Sequence, residues 1–410
     1  MKGIATPTVI EVDNGSIVSP QGFSATGLYS GVKRKRLDLG AIYCEVPASV
    51  AAVYTCNRIQ AAPLKVTKES IATEGKIQAL VVNSGNANAC TGKKGLEDAY
   101  QMRMESANHF QVPEHYVAVT STGVIGEYLA MDKIVSGIKK LETTSTLEGA
   151  EAFNQAILTT DTMNKKVCYQ TKVDGKTVSV GGVAKGSGMI NPNMATMLSF
   201  VTTDANIESE VLQQALSTIT NQTFNRITVD GDTSTNDMVV VMASGLAEND
   251  SLSPTHPDWE PFYIALQQTC ESLAKQIARD GEGATKLIEV QVNGALTHDE
   301  AGKVAKKIVG SDLVKSAVYG TDANWGRIIC AIGYSGCEID PETIDIGIGP
   351  VQTLVNSQPV TFSEEEAKAY MENNETIVIK VDLHVADGSG KAWGCDLSYD
   401  YVRINAGYRT

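Results

Sequence analysis

The sequence predicts an α/β protein. Two observations carry this: strand-length apolar runs alternate with helical patterns over much of the chain, and the composition is that of a globular protein, 42% hydrophobic and 20% charged. A third observation, the length of 410 residues, exceeds what one small core needs. It points to two domains, or to one large α/β domain with an appendage.

The elements follow in order. Residues 77–83 form a continuous apolar run that ends in the turn Asn83-Ser84-Gly85-Asn86. Leu96, Tyr100, Met104 and Ala107, at steps of four and three, predict the helix after it. A strand over 116–120 ends at Ser121-Thr122-Gly123, and Met131, Ile134, Val135, Ile138 and Leu141 mark a second amphipathic helix. The middle of the chain is richer in strands, expected over 177–183, 196–202, 227–230 and 238–243. A long helix is expected over 259–279, with Phe262, Leu266, Cys270, Leu273 and Ile277 on one face. Shorter elements begin beyond Gly281-Glu282-Gly283, including a strand over 287–292 and a helix opened by Ser363 and Glu366 at capping-box spacing. A domain boundary is therefore expected near Lys286, setting 287–410 apart; with a further division at the Ala195-Thr196 step, the expected parts are 1–195, 196–286 and 287–410.

Charge and cysteine usage exclude several classes. A net charge of −14 repels nucleic acid and anionic membranes. The basic run Lys33-Arg34-Lys35-Arg36 reads as a solvated loop. The start of the chain lacks the apolar core of a signal peptide, and the scattered cysteines suit a reducing compartment, so a cytoplasmic location is expected. Most of the eight cysteines read as small core residues. The five histidines are too dispersed to suggest a metal site, and the acidic stretch from Asp230 to Asp237 lacks the glycine and glutamate of a calcium loop, so it reads as a structural turn. No metal or cofactor is expected.

The most informative segment is Lys185-Gly186-Ser187-Gly188-Met189-Ile190-Asn191-Pro192-Asn193-Met194-Ala195-Thr196-Met197-Leu198. It is a Gly-rich approach, a Pro-fixed turn and an Ala-Thr step that leads into an apolar strand. A generic Gly/Pro loop does no more than feed a strand. Here the hydroxyl of Thr196, held against the carbonyl of Ala195, has the chemistry for an N-to-O acyl shift, and hydrolysis of the ester leaves threonine as a new N-terminus. Thr196 then owns a nucleophilic hydroxyl and an α-amine of ordinary pKa about 7.7–8, which serves as general base without a histidine. Thr122 and Gly123, beyond a strand end, offer one hydroxyl and one backbone N–H to a developing oxyanion.

These residues resemble the ornithine acetyltransferases (glutamate N-acetyltransferases) of arginine biosynthesis. The likeness runs from Asn83-Ser84-Gly85-Asn86-Ala87-Asn88-Ala89 through Ser121-Thr122-Gly123-Val124-Ile125-Gly126, Thr159-Thr160-Asp161-Thr162 and Asn193-Met194-Ala195-Thr196-Met197-Leu198. It continues through Asp280-Gly281-Glu282-Gly283-Ala284-Thr285-Lys286 and Gly320-Thr321-Asp322-Ala323-Asn324-Trp325-Gly326-Arg327 to the stretch 401–410. The resemblance implies cleavage between Ala195 and Thr196, Thr196 as nucleophile, and Thr122 and Gly123 as oxyanion hole. Thr159, Lys185, Thr196, Glu282, Asn405 and Thr410 would line the amino-acid pocket, with Lys185 suited to a substrate carboxylate and Glu282 to an amine of ornithine. It further implies a layered α/β sandwich reminiscent of N-terminal nucleophile hydrolases but of different topology, with a smaller C-terminal α/β domain. The cut segments, 1–195 and 196–410, would assemble as an α2β2 heterotetramer. The implied reaction passes acetyl from N-acetylornithine to Thr196 and then to glutamate. Acetyl-CoA is a second donor in some members, as a substrate rather than a cofactor. Two other readings compete: an aminopeptidase of the related β-peptidyl aminopeptidase group, in which water takes the acyl group, and a non-catalytic binding protein of the same fold.

Overall fold

The computed structural model describes residues 8–191 and 197–407. These divide into two compact units. The first comprises 8–186, 197–220 and 233–273; the second comprises 187–191, 221–232 and 274–407. The later division falls inside a helix, at Leu273/Ala274, and Lys286 lies within the second unit.

Unit 1 opens with β1 (Ile10–Glu11), β2 (Phe23–Leu28) and β3 (Leu39–Tyr54), followed by α1 (Ala62–Glu74), β4 (Lys76–Asn86), α2 (Gly92–Phe110) and β5 (Val117–Val124). Next come α3 (Met131–Ile138), α4 (Leu147–Ile157), β6 (Lys165–Val173), β7 (Lys176–Lys185), β8 (Leu198–Thr203) and α5 (Ser209–Gln222). After β9 (Ile227–Thr228), which belongs to unit 2, follow β10 (Met238–Ala243) and α6 (Trp259–Arg279). The sheet runs β1-β6-β7-β8-β10-β3-β4-β5, with β2 also paired to β3. Among the described strands of this sheet, only β8 with β10 and β4 with β5 are parallel. Pro47 stands inside β3, and because proline has no N–H to donate, the β3–β4 ladder shifts register between Tyr43 and Ala48.

Strand alternation buries both faces of this sheet. Ala79, Val81, Val117 and Val119 face Ala99, Met102, Ile134 and Ile138 of α2 and α3. Leu80, Val82 and Ala118 belong to the opposite core, with Phe153 of α4 and Phe200 of β8. Those two rings meet edge-on at 5.6 Å. Of the predicted stripe of α2, Ala107 is buried and Leu96 and Tyr100 pack against the core, while Met104 is 40% exposed; Gly95, Ala99 and Met102 complete the buried face.

Unit 2 continues with β11 (Leu287–Ala295), α7 (His298–Val309), α8 (Asp312–Tyr319), α9 (Trp325–Gly333), β12 (Asp345–Ile348), β13 (Val351–Val355) and β14 (Gln358–Pro359). It ends with α10 (Glu364–Asn373), β15 (Thr376–Asp382), β16 (Gly388–Cys395) and α11 (Tyr399–Ala406). Its sheet runs β14-β13-β12-β15-β11-β16-β9. Local chemistry explains its helices well. On α7 the Thr297 hydroxyl accepts the Glu300 N–H at 3.1 Å, with Asp299 and Glu300 in the first turn and Lys306 and Lys307 in the last, so both ends match the helix dipole. The expected Ser363 cap is present, accepting from the Glu366 N–H at 3.1 Å. The strand expected over 227–230 is only the two residues of β9. The fold is thus α/β with two sheets, the smaller in the C-terminal unit.

Candidate active site

In unit 1 the site residues gather where β5 and β7 end and β8 begins. Buried amides shape this edge. Asn236 donates to the carbonyls of Ala87 and Ser121 at 2.5 and 2.7 Å, and Asn83 donates to the Asn86 carbonyl at 3.0 Å. Gly123 has φ +135°, and a Cβ there would stand 2.3–2.7 Å from the Gly85 and Asn86 backbone. Only glycine lets the two strands come this close.

Beside it, the Lys185 ammonium donates to the Thr122 hydroxyl at 3.4 Å. The hydroxyl oxygen is the acceptor in that bond, which leaves its own proton for a further acceptor. Lys185 ends β7 as the register partner of Leu198, and the Met238 N–H holds the Met197 carbonyl at 2.9 Å. The charge of Lys185 is met by Asp161. That carboxylate accepts the Lys165 ammonium at 2.7 Å, the Gly186 N–H at 2.6 Å and the Thr159 N–H at 3.0 Å. Burial penalises the Asp161 charge, but Lys185 and Lys165 outweigh it and hold the carboxyl well below the usual range. Asp237, next to Met238, is the opposite case. It is buried, one carboxyl oxygen has no hydrogen-bond partner among the described residues, and desolvation pushes its carboxyl well above the ordinary value despite the Ser234 hydrogen bond and the Lys185 charge.

Unit 2 holds its own set. Glu282 is buried and accepts from the Asn405 amide at 2.8 Å. A Cβ on Gly188 would lie 2.4–2.5 Å from the Glu282 carboxyl, so this glycine makes room for it. Asp230 accepts the Met189 and Ile190 N–H groups at 2.6 and 2.9 Å and fastens residues 187–191 to the loop after β9. Burial, with the Asp230 and Glu282 carboxyls, pushes the Tyr401 hydroxyl above its ordinary range.

Of the residues expected from the sequence, Thr122, Gly123, Thr159 and Lys185 fall in unit 1, and Glu282 and Asn405 in unit 2. Ala195, Thr196 and Thr410 lie outside the described residues. Sequence reasoning missed Asp161, Lys165 and Asp237. Asp161 stood inside a quoted motif without a role, and Asp237 was read as part of a turn. The basic run needs correction: Arg34 and Lys35 are exposed, but Lys33 is half-buried and donates to the Leu37 and Leu158 carbonyls at 2.9 and 2.5 Å. Four of the eight cysteines, Cys44, Cys168, Cys270 and Cys395, are buried, fewer than the majority expected. Asp174, His256 and Asp258 come close enough to hold a cation. His256 Nδ1 accepts the Asp258 N–H and its Nε2 faces Asp174, so the imidazole is already engaged within the loop. Among the described residues no helix is long and apolar enough to cross a membrane.

Comparison with known proteins places this arrangement. The ArgJ family matches residues 24–410. The arginine biosynthesis bifunctional protein ArgJ of Halalkalibacterium halodurans is 72% identical over 405 residues, covering 99% of this chain and 98% of its own. The protein of the same name from Geobacillus kaustophilus is 65% identical with the same coverage. A crystal structure of arginine biosynthesis bifunctional protein ArgJ from Bacillus halodurans is 74% identical, with a TM-score of 0.52, covering 52% of this chain and 100% of the solved chain. With a family match across nearly its whole length and curated relatives this similar, the chain belongs to the ArgJ family.

Proposed function

We propose that this protein moves acetyl groups through Thr196 after cutting itself between Ala195 and Thr196. It is an acyltransferase of arginine biosynthesis, transferring acetyl from N-acetylornithine to glutamate and also making N-acetylglutamate from a second donor, acetyl-CoA. The observation that carries the mechanism is the Lys185–Thr122 contact at 3.4 Å beside Gly123, at the edge where β8 begins. The Thr122 hydroxyl proton and the Gly123 N–H serve the oxyanion that forms when Thr196 attacks the acetyl carbonyl, and again when the glutamate amine attacks acetyl-threonine. Lys185, fixed by the Asp161 carboxylate, takes the substrate α-carboxylate together with Thr159. Glu282, steadied by Asn405, takes the ornithine amine, and Thr410 is assigned to amino-acid binding by the family resemblance.

One observation supports the cut. The solved relative, matched over all of its length, corresponds to only 52% of this chain, whereas the full relatives span 99%. A half-length chain is what a cut precursor yields. On this reading the two segments remain together as an α2β2 assembly in the cytoplasm. Membership of the ArgJ family disfavours the aminopeptidase alternative.

Mass spectrometry with an acceptor assay tests the proposal. The purified protein should give two fragments, one starting at Thr196, and should consume N-acetylornithine only when an amine acceptor is supplied. Thr196→Ala should remain one inactive chain. Normal processing of that variant would remove Thr196 from the nucleophile role, and equal turnover without acceptor would make the protein a hydrolase.

A further inference from the structure

Lys33 has no part in the chemistry assigned above, yet it lies on the same edge of unit 1. Its stem packs over Gly85: a Cβ on that glycine would stand 3.0 Å from Lys33 Cγ. Gly85 is the register partner of Gly123. Two of the three ammonium hydrogens are pinned by the carbonyls of Leu37 and of Leu158, the residue before Thr159. The third has no hydrogen-bond acceptor among the described residues. The group is therefore held in place with one donor to spare.

The charges around it are unbalanced. Lys33, Arg36, Lys165 and Lys185 share this part of unit 1 with the carboxylates of Asp38 and Asp161, an excess of two positive charges in a chain whose net charge is −14. Asp38 is already committed, accepting the backbone N–H groups of Ser30, Gly31 and Lys33. Asp237, kept toward its neutral form by burial, does not cancel the excess. Burial lowers the Lys33 pKa to about 8; Lys185 and Arg36 push the same way, while Asp38 and Asp161 only partly oppose them. A cation partly stripped of water and facing another cation favours the arrival of an anion.

The acetyl-transfer reading, on which this inference rests, supplies that anion on one side of the reaction only. N-acetylornithine has one carboxylate, which Lys185 takes; glutamate has two. We propose that Lys33 selects the acceptor, its ammonium receiving the side-chain carboxylate of an acidic amino acid while Lys185 receives the α-carboxylate. Lys33 is a binding residue for the second half-reaction, and the donor half-reaction runs without it.

The test uses mature enzyme and two ratios, each independent of the fraction of molecules that fold. One compares kcat/KM for glutamate with that for glutamine, which has the same shape but no side-chain charge. The other compares acetyl transfer to glutamate with exchange of labelled ornithine into N-acetylornithine. In Lys33→Gln both ratios should fall roughly 10- to 100-fold, the range for a hydrogen bond to a charged group. Lys33→Arg should restore most of the loss. Unchanged ratios, or equal losses in exchange and in transfer to both acceptors, would overturn the assignment and leave Lys33 a structural residue. Wild-type enzyme that exchanges no ornithine would instead refute the acetyl-transfer reading, and this inference would fall with it.

Discussion

The two units hold their site residues by contrasting means. In unit 1, Lys185, Asp161 and Lys165 are all nearly inaccessible, and every oxygen of Asp161 is occupied by an ammonium or a backbone N–H. In unit 2, Glu282 is held by one amide from α11, a helix with no buried residues whose Tyr399 and Val402 stand 80% and 65% exposed. The first arrangement is preorganised, its geometry paid for at folding. The second is held locally and yields more readily.

Breaking the rigid half should have the largest effect. Asp161→Asn removes the carboxylate that pairs with fully buried Lys165 at 2.7 Å and should cost about 3–5 kcal/mol of stability, measured by denaturant unfolding. The pH dependence has a definite sign. The folded carboxyl titrates below its unfolded value of about 3.9, so its stabilisation is complete above that pH and is lost as pH falls through the lower, folded value. The variant should lack that acid-side component, and a variant as stable as wild type would show the network to be dispensable.

Next in size is Thr122→Ala. With the hydroxyl proposed for the oxyanion gone, kcat should fall by the factor that corresponds to about 2.7–4 kcal/mol of transition-state stabilisation, while KM stays closer to normal. An unchanged kcat removes Thr122 from that role. Asn405→Ala probes the yielding half and should do least, below about 1.5 kcal/mol, because the two hydrogen bonds lost, to Glu282 and to the Tyr401 carbonyl, are part-buried and exposed. The change should appear as a higher KM for N-acetylornithine. A loss as large as that of Asp161→Asn would erase the contrast between the units.

Much of the fold was legible beforehand. The helix over 259–279 and the strand over 238–243 fall at the expected bounds, because long apolar periodicity leaves little choice. Leu141 carried the right polarity but lies beyond α3, buried in the core as part of the turn that follows. The stripe of α2 was misjudged at Met104 because small residues take part in the buried face, Gly95 against Asn88 and Thr91 and Ala99 in the core; what decides burial there is how closely neighbouring elements approach the helix, which periodicity does not report. Lys33 was misread for a related reason. Its neighbours Arg34 and Lys35 are exposed, and composition averages over a run whose members have different fates.

By itself the sequence determined the alternating element plan, the helix caps and the motif residues at the ends of β5 and β7, since these depend on a residue and its near neighbours in the chain. Tertiary structure alone decided which charges meet out of water. Lys33, Asp161, Lys185 and Asp237 come from four separate stretches, and desolvation depends on what the other elements place over them.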